Sequence, residues 1–483
     1  LLKVLLINPP QTCYKGHSFT TYFPLGLLYV AATVKDICQV QIFDCLLSKT
    51  QSRNGDTVTY GASSEEIKSK ITNTNPDVIG ASVPSTMQYN NTERVAIIAK
   101  QVNPKVTVVF GGCDPSARFK QILENKYCDY CVVGEGEVTF REFILSYPQV
   151  ENVRGLAYRR NGEVHYTPRG FITNLDTLPY PALDLVDVNK YLEDKFVVGA
   201  HDTICKNSIA VMSSRGCPFS CVFCAVKLHM GNKHRAHSPE YVLQMLRFFR
   251  DKYGITKFHF NDDNLTFDKK RIETILSLIK NEGFKWDTPG GLRVDTLSYN
   301  LLWLMKEAGC IRVCLAIESG NQRVLDNVIK KKTNLAHALE VVRFCKDLGI
   351  EAQGFYVIGC PGETVQEMRE TASLALDLYH KYELFPGLMV ATPLYGTELF
   401  HECLEKHYIN GEPDCVNCTT STVPRSSIMI STPEFSPSDI QCIVEEFMLG
   451  FHRERMRFML KHLRYSAGWL KRKITGRMAR MVG

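Results

Sequence analysis

Apolar residues gather into two series of short runs, each run separated from the next by a stretch of helical period. The first series fills residues 1–150. Lys3–Asn8, Val40–Phe43, Asp77–Val83, Val106–Gly111 and Tyr130–Gly134 are mainly apolar and end in Gly or polar turns. Between them, apolar positions recur at helical spacing over Leu25–Val34, Ser64–Asn73, Asn91–Gln101 and Ser116–Glu124. Runs that are apolar throughout suit parallel strands buried on both faces. The alternation therefore predicts an α/β fold with an open, doubly wound, Rossmann-like sheet. Ligands of such sheets lie beyond the carboxyl ends of the strands. The strand ends here are Asn8-Pro9-Pro10, Ser82, Gly111-Gly112 and Gly134-Glu135-Gly136-Glu137.

The second series begins near Ser208. Its strands are predicted at Ser208–Ser213, Thr256–Phe260, Trp286–Arg293, Ile311–Ile317, Glu351–Ile358 and Gly387–Thr392. Helical patterns separate them at 239–252, 268–283, 298–308, 334–348 and 364–381. Six βα units predict a partial (β/α)6 barrel of TIM type, whose site forms at the C-terminal strand ends. Residues 151–206 hold Pro168, Pro179, Pro181 and a hairpin signal at Arg159–Gly162, and read as a linker. Residues 401–483 are broken by four prolines and then read as a mostly helical C-terminal region. The predicted boundaries are thus 1–150, 151–206, 207–400 and 401–483.

Composition adds limits. Hydrophobic residues make up 45% of the 483 and charged residues 22%, as in ordinary globular chains. No run approaches the ~18 apolar residues of a membrane span. The first residues read as a strand and turn, which predicts no signal peptide. The 18 cysteines mostly sit singly in apolar surroundings, which fits a reducing, cytoplasmic compartment better than a disulfide framework. The net charge of +6 is uneven, because residues 451–483 hold ten Lys/Arg and one acid.

One cysteine group has tight metal-ligand spacing. Ser213-Ser214-Arg215-Gly216-Cys217-Pro218-Phe219-Ser220-Cys221-Val222-Phe223-Cys224 follows the first barrel strand with spacing CxxxCxxC. Three thiolates on one loop can hold three irons of a cubane cluster and leave the fourth open, whereas a closed cluster takes four cysteines. The alternative is a zinc knuckle with His229, His234 or His237 as fourth ligand.

This loop resembles the hallmark of the radical S-adenosylmethionine (SAM) superfamily, with its aromatic residue, Phe223, before the last cysteine. The resemblance covers about residues 206–400. It implies a 4Fe–4S cluster on Cys217, Cys221 and Cys224, whose open iron binds the amino and carboxylate groups of SAM and yields a 5′-deoxyadenosyl radical. SAM contacts are then expected from Phe223 and from strand-end residues. Asp262 and Asn264, with Asp263 next, are candidates for the SAM amine. Arg293 would pair with the carboxylate, Glu318 would accept from ribose hydroxyls, and Gly359 would let backbone approach closely. Each has a plain structural alternative as a cap, turn or ion pair.

The N-terminal strand ends, taken as a set, resemble the cobalamin-binding domain fused to one radical SAM class. Expected cobalamin contacts are Asn8, Pro9, Pro10, Ser82, Gly111, Gly112, Gly134 and Glu135. No Asp-x-His-x-x-Gly run is present, so no histidine of that motif would ligate cobalt; His17 lacks the pattern. Asp114 stands where relatives often carry His.

The resemblance implies a methyltransferase acting on an unactivated carbon or on phosphorus in a small-molecule substrate. Its electron donor would be a flavodoxin or ferredoxin. The alternatives are an enzyme of the same architecture that forms rings or carbon–carbon bonds, a methylthiotransferase, and a non-catalytic cobalamin or cluster sensor. A second CxxC at Cys415–Cys418 reads as ordinary loop thiols, with a further cluster or a site cap as alternatives. The basic tail interleaves Arg and Lys with Phe451, Met456, Phe458, Leu460 and Trp469. That suits peripheral contact with anionic lipid or a helix packed on the barrel, while nucleic acid is the less expected partner.

Overall fold

The computed structural model describes residues 1–14, 23–48, 50–192, 208–409, 413 and 429–461. His17, Cys415, Cys418, Trp469 and the tail beyond 461 lie outside the described residues.

The N-terminal sheet has seven strands. Its five parallel members run in the order Gln39–Asp44, Lys3–Asn8, Val78–Ser82, Thr107–Gly111, Tyr130–Val132. Numbered along the chain this is 2-1-3-4-5, the order that reverses between the first and third strands. Two separate apolar clusters cover its faces. One packs Leu5, Ile79, Val108 and Phe110 against the helices Ser64–Thr74 and Tyr89–Val102. The other packs Leu6, Val109 and Val132 against Leu25–Val34 and Gly136–Ser146. This doubly wound sandwich is the expected one.

Three parts depart from expectation. The hairpin Leu156–Arg160/Glu163–Tyr166, assigned above to a linker starting at 151, continues the sheet antiparallel from Tyr130–Val132. Asn161 and Gly162 both take positive φ in its turn, as a two-residue hairpin requires. The helix Gly136–Ser146 was not foreseen, because its Gly-Glu-Gly-Glu start has no side-chain cap. A small antiparallel sheet of Gln11–Tyr14, Gln51–Asn54 and Thr57–Tyr60 was also missed; its short polar strands carry little periodicity.

The second sheet has six parallel strands, each beside its sequence neighbour: Ser208–Val211, Lys257–Phe260, Lys285–Arg293, Cys310–Glu318, Glu351–Ile358 and Phe385–Val390. The first and last strands are not paired, so the barrel stays open. The helices between the strands are locally well specified. Ser238 caps Pro239–Tyr253, and Gly254 ends it at φ +69°; Thr364 and Glu367 form a capping box on Val365–Tyr382. The final described helix, Pro437–Lys461, packs on Val365–Tyr382, with Phe451 against Tyr379.

Candidate active site

The cysteine loop is held at both ends. Ser214–Arg215 pairs antiparallel with Arg235–Ala236, closing residues 216–234 into one loop over the barrel mouth. Gly216 has φ +79°, and a Cβ there would lie 2.3 Å from the Lys233 carbonyl oxygen, so only glycine fits. Its N–H donates to Asp263 Oδ2 at 2.7 Å. The Val222 N–H donates to the Ile329 carbonyl at 3.1 Å, and the Val222 carbonyl accepts from Leu399 N–H at 2.9 Å. Cys217, Cys221 and Cys224 are all partly exposed.

Burial pushes the Cys224 thiol up to about 12 and raises Cys221 too. Metal ligation must therefore displace protons. Among the described residues, no three His, Cys, Asp or Glu side chains already gather round one point in the geometry that holds a metal ion. Of the histidines considered for zinc, His237 instead stacks on Tyr241 and bonds Asp176.

Barrel strand ends bring most of the expected SAM contacts to this loop, but their side chains divide into two kinds. Asp262 is fully engaged: its carboxylate accepts from Ser213 N–H, from Ser213 Oγ at 2.6 Å and from Ser214 Oγ at 2.6 Å. It braces the start of the cluster loop. Asn264 is different. It is 2% exposed, its Nδ2 approaches Cys217 Sγ at 3.9 Å, and its Oδ1 is buried without a partner. Asp263, held near pKa 6 by burial, keeps one oxygen on Gly216.

Arg293 donates to Asp295 and to the Lys331 carbonyl, and its guanidinium stacks on Phe219 at 3.4 Å, yet Nη1 is buried and unpaired. Glu318 ends its strand at φ +70° and forms a buried ion pair with Lys331 at 2.9 Å. An orphaned acceptor on Asn264 and an orphaned donor on Arg293 are what a ligand carrying both ammonium and carboxylate would satisfy. The site therefore fits the amino-acid part of SAM. Phe223 packs against the barrel core. Gly359, at φ +87°, also gives room to the C-terminal helix, because an added Cβ would lie 2.8 Å from Ile440 Cδ1.

The N-terminal strand ends form a half-open cleft lined by Ser82, Gly111, Gly112, Gly134 and Glu135 among others. Its walls are mostly apolar with a few polar groups, the composition of a ligand site. A Cβ on Gly26 would meet no atom within 4 Å and one on Gly111 only Val132, at 3.7 Å, so both glycines leave open space. Asn8, Pro9 and Pro10 do not line this cleft. Asn8 Nδ2 donates to buried Asp44 at 2.9 Å, and Pro10 borders a different hollow beside Gly61. The first strand's end is thus used to brace its neighbour. Asp114 accepts from Thr86 and Arg118, and the Arg118 guanidinium lies between the rings of Tyr89 and Tyr395.

Arg215, His229 and Met230 line the same cleft. They come from the cysteine-loop segment, so the cleft and the loop share a wall. Arg215, Arg235 and Lys331 were missed in the sequence. Only the spacing of arginines around the motif and the charge of Gly-Glu-Gly-Glu could have pointed to them.

The fold and the two facing sites define a radical SAM protein with an appended cobalamin module. The radical SAM superfamily profile matches residues 211–375, and the B12 binding domain profile matches residues 12–144. An uncharacterized methyltransferase of Pyrococcus horikoshii is 34% identical over 417 residues, 85% of this chain and 84% of that protein. The cytidylyl-2-hydroxyethylphosphonate methyltransferase of Streptomyces wedmorensis is 30% identical over 454 residues, covering 86% and 84%. The chain belongs to the family of radical SAM enzymes that carry a B12-binding domain. The 4Fe–4S cluster, SAM and cobalamin are the cofactors of this family. The solved structure of the radical SAM methyltransferase TsrM from Kitasatospora setae, with cobalamin and a 4Fe–4S cluster bound, shares the fold at TM-score 0.65 and 16% identity, covering 86% of this chain and 76% of that one.

Proposed function

We propose that this enzyme methylates an unactivated carbon or phosphorus centre of a small molecule, with cobalamin as methyl carrier. The observation that carries this reading is the shared wall: residues of the cysteine-loop segment line the N-terminal cleft. The names of the Pyrococcus and Streptomyces relatives point the same way. When bound, the cofactors supply hydrogen-atom abstraction and a transferable methyl group.

The chain's own residues hold and orient these groups. Cys217, Cys221 and Cys224 would hold three irons. Asn264 would accept from the SAM amine, Arg293 Nη1 would donate to its carboxylate, and Glu318, fixed by Lys331, would face the ribose. Ser82, Gly111, Gly112 and Gly134 would line the cobalamin cleft, with no histidine of the Asp-x-His-x-x-Gly type beneath cobalt. We assign cobalamin binding to the first domain, radical chemistry to the barrel and substrate capping to residues 401–483.

Partly exposed cysteines favour a small protein electron donor, a flavodoxin or ferredoxin. The described cysteines are all free, which supports a reducing, cytoplasmic setting. Among the described residues no helix is long and apolar enough to cross a membrane. Leu449, Met456 and Leu460 are exposed on the helix Pro437–Lys461, which supports peripheral contact with anionic lipid through this end of the chain. Co-sedimentation with anionic liposomes tests that contact.

The deciding experiment is anaerobic reconstitution with methyl-labelled SAM and candidate substrates. Label in the product supports methylation. 5′-Deoxyadenosine with an unlabelled, rearranged product would instead establish a ring-forming or carbon–carbon-bond-forming enzyme.

A further inference from the structure

Arg215 and Arg235 face one another as direct partners on the two-stranded ribbon that closes the cysteine loop. Like charges directly opposite on such a ribbon repel. Here Arg215 is buried, Arg235 is partly so, and both are answered from the other domain. Arg215 Nη1 donates to Glu135 Oε1 at 3.0 Å and Nη2 to Glu137 Oε1 at 2.6 Å; Arg235 Nη1 donates to Glu135 Oε1 at 2.8 Å. Glu135 also accepts from the Ile172 N–H at 2.7 Å. The side chains of Arg215, Glu135 and Glu137 are 3%, 3% and 6% exposed. Two cations and two anions leave the lattice neutral, and the fork of Arg215 spans two carboxylates, which lysine cannot do.

The placement of this lattice is informative. Glu135 and Glu137 flank the end of the last parallel strand and line the cleft, while Arg215 lies two residues before Cys217. We propose that Arg215 is a positioning residue through which Glu135 and Glu137 fix the separation and orientation of the cobalamin cleft relative to the cluster loop. This inference rests on the cofactor reading above. Hydrogen abstraction and methyl delivery must address one substrate atom from two sides, and a 1 Å misplacement can cost about a hundredfold in rate. A buried, bidentate joint between the two domains meets that need two residues along the chain from Cys217.

The test uses the full chain, reconstituted without oxygen with iron, sulfide and hydroxocobalamin. Both centres are then reduced with dithionite to paramagnetic states. The magnetic interaction between the reduced cluster and cob(II)alamin, read by pulsed electron paramagnetic resonance, reports their separation. The wild type is expected to give one narrow interaction. Arg215→Lys, at wild-type iron and cobalamin content, should broaden its distribution at least twofold, and Glu137→Gln should broaden it less. An unchanged distribution in both variants overturns the proposal. If Arg215→Lys does not take up both cofactors, Glu137→Gln decides by the same criterion. If the wild type binds no cobalamin, the functional reading fails instead. Hydrogen exchange of the cofactor-free proteins then decides the joint: at least tenfold faster exchange at amides 134–137 in Arg215→Lys supports it, and unchanged exchange refutes it.

Discussion

The two sheets present their strand ends in different ways. At the barrel mouth the ends carry polar side chains, and these split into braces and free hands. Asp262 already accepts from Ser213 and Ser214, whereas Asn264, two residues on, keeps a buried oxygen with no partner. At the N-terminal sheet the useful ends are mainly glycines beside Ser82 and Glu135, and another polar residue, Asn8, is turned to Asp44. A strand-end position marks where a ligand can lie. Whether a given side chain serves it depends on what the folded chain has already offered that side chain. Buried polar groups seek partners, so an orphan is the better pointer to a ligand than mere position.

The largest effect that could break this contrast is loss of the cysteines. Replacing Cys217, Cys221 and Cys224 with Ala should abolish the visible cluster absorption and all SAM cleavage in reconstituted protein; retained cleavage would refute the assignment of the loop. Next comes the brace against the free hand. Asp262→Ala strands two hydroxyls and an N–H, and should lower the unfolding free energy by about 3–5 kcal/mol. Asn264→Ala should leave denaturant unfolding within about 1 kcal/mol of wild type. It should nonetheless weaken SAM binding about tenfold, the equivalent of one hydrogen bond to a charged group. Equal destabilisation by both would erase the distinction drawn here.

Glu363 offers a pH test. It is fully buried at the end of the fifth barrel strand, where Cys360 N–H donates to it, and burial pushes its carboxyl from 4.5 up to about 8. Because the folded state binds this proton more tightly, its contribution to stability is full below about 4.5. It is lost as pH rises through about 8. The slope cannot exceed about 1.4 kcal/mol per pH unit. Glu363→Gln should flatten this part of the stability–pH curve; an unaltered slope would show the carboxyl to be ionised throughout. The smallest change is at Gly359. Gly359→Ala should cost about 1–3 kcal/mol from positive φ and the approach to Ile440, with SAM affinity unchanged. Ile440→Ala should recover only the steric part.

Much of this was legible in the sequence. Both sheets follow from apolar runs at βα spacing, because buried parallel strands write an unbroken signal. The cysteine loop is explicit in its spacing. The sequence failed where a residue's partner is remote. Asp262 could not be told from Asn264 without Ser213 and Ser214 nearby. Gly359 answers a helix some eighty residues later. The hairpin at 156–166 carried the right turn signal, but its attachment to the first sheet depends on pairing with Tyr130–Val132, and polar residues on an edge strand do not advertise their partner.

The Glu135–Arg215 contact spans 80 residues of chain, and Glu137–Arg215 spans 78. Domains form in order as the polypeptide leaves the ribosome. The first sheet therefore emerges with two acidic groups whose guanidinium counterparts have yet to be synthesised. Its cleft also lacks the wall that His229 and Met230 later provide. An isolated N-terminal fragment is for that reason expected to be a poor stand-in for the complete cleft.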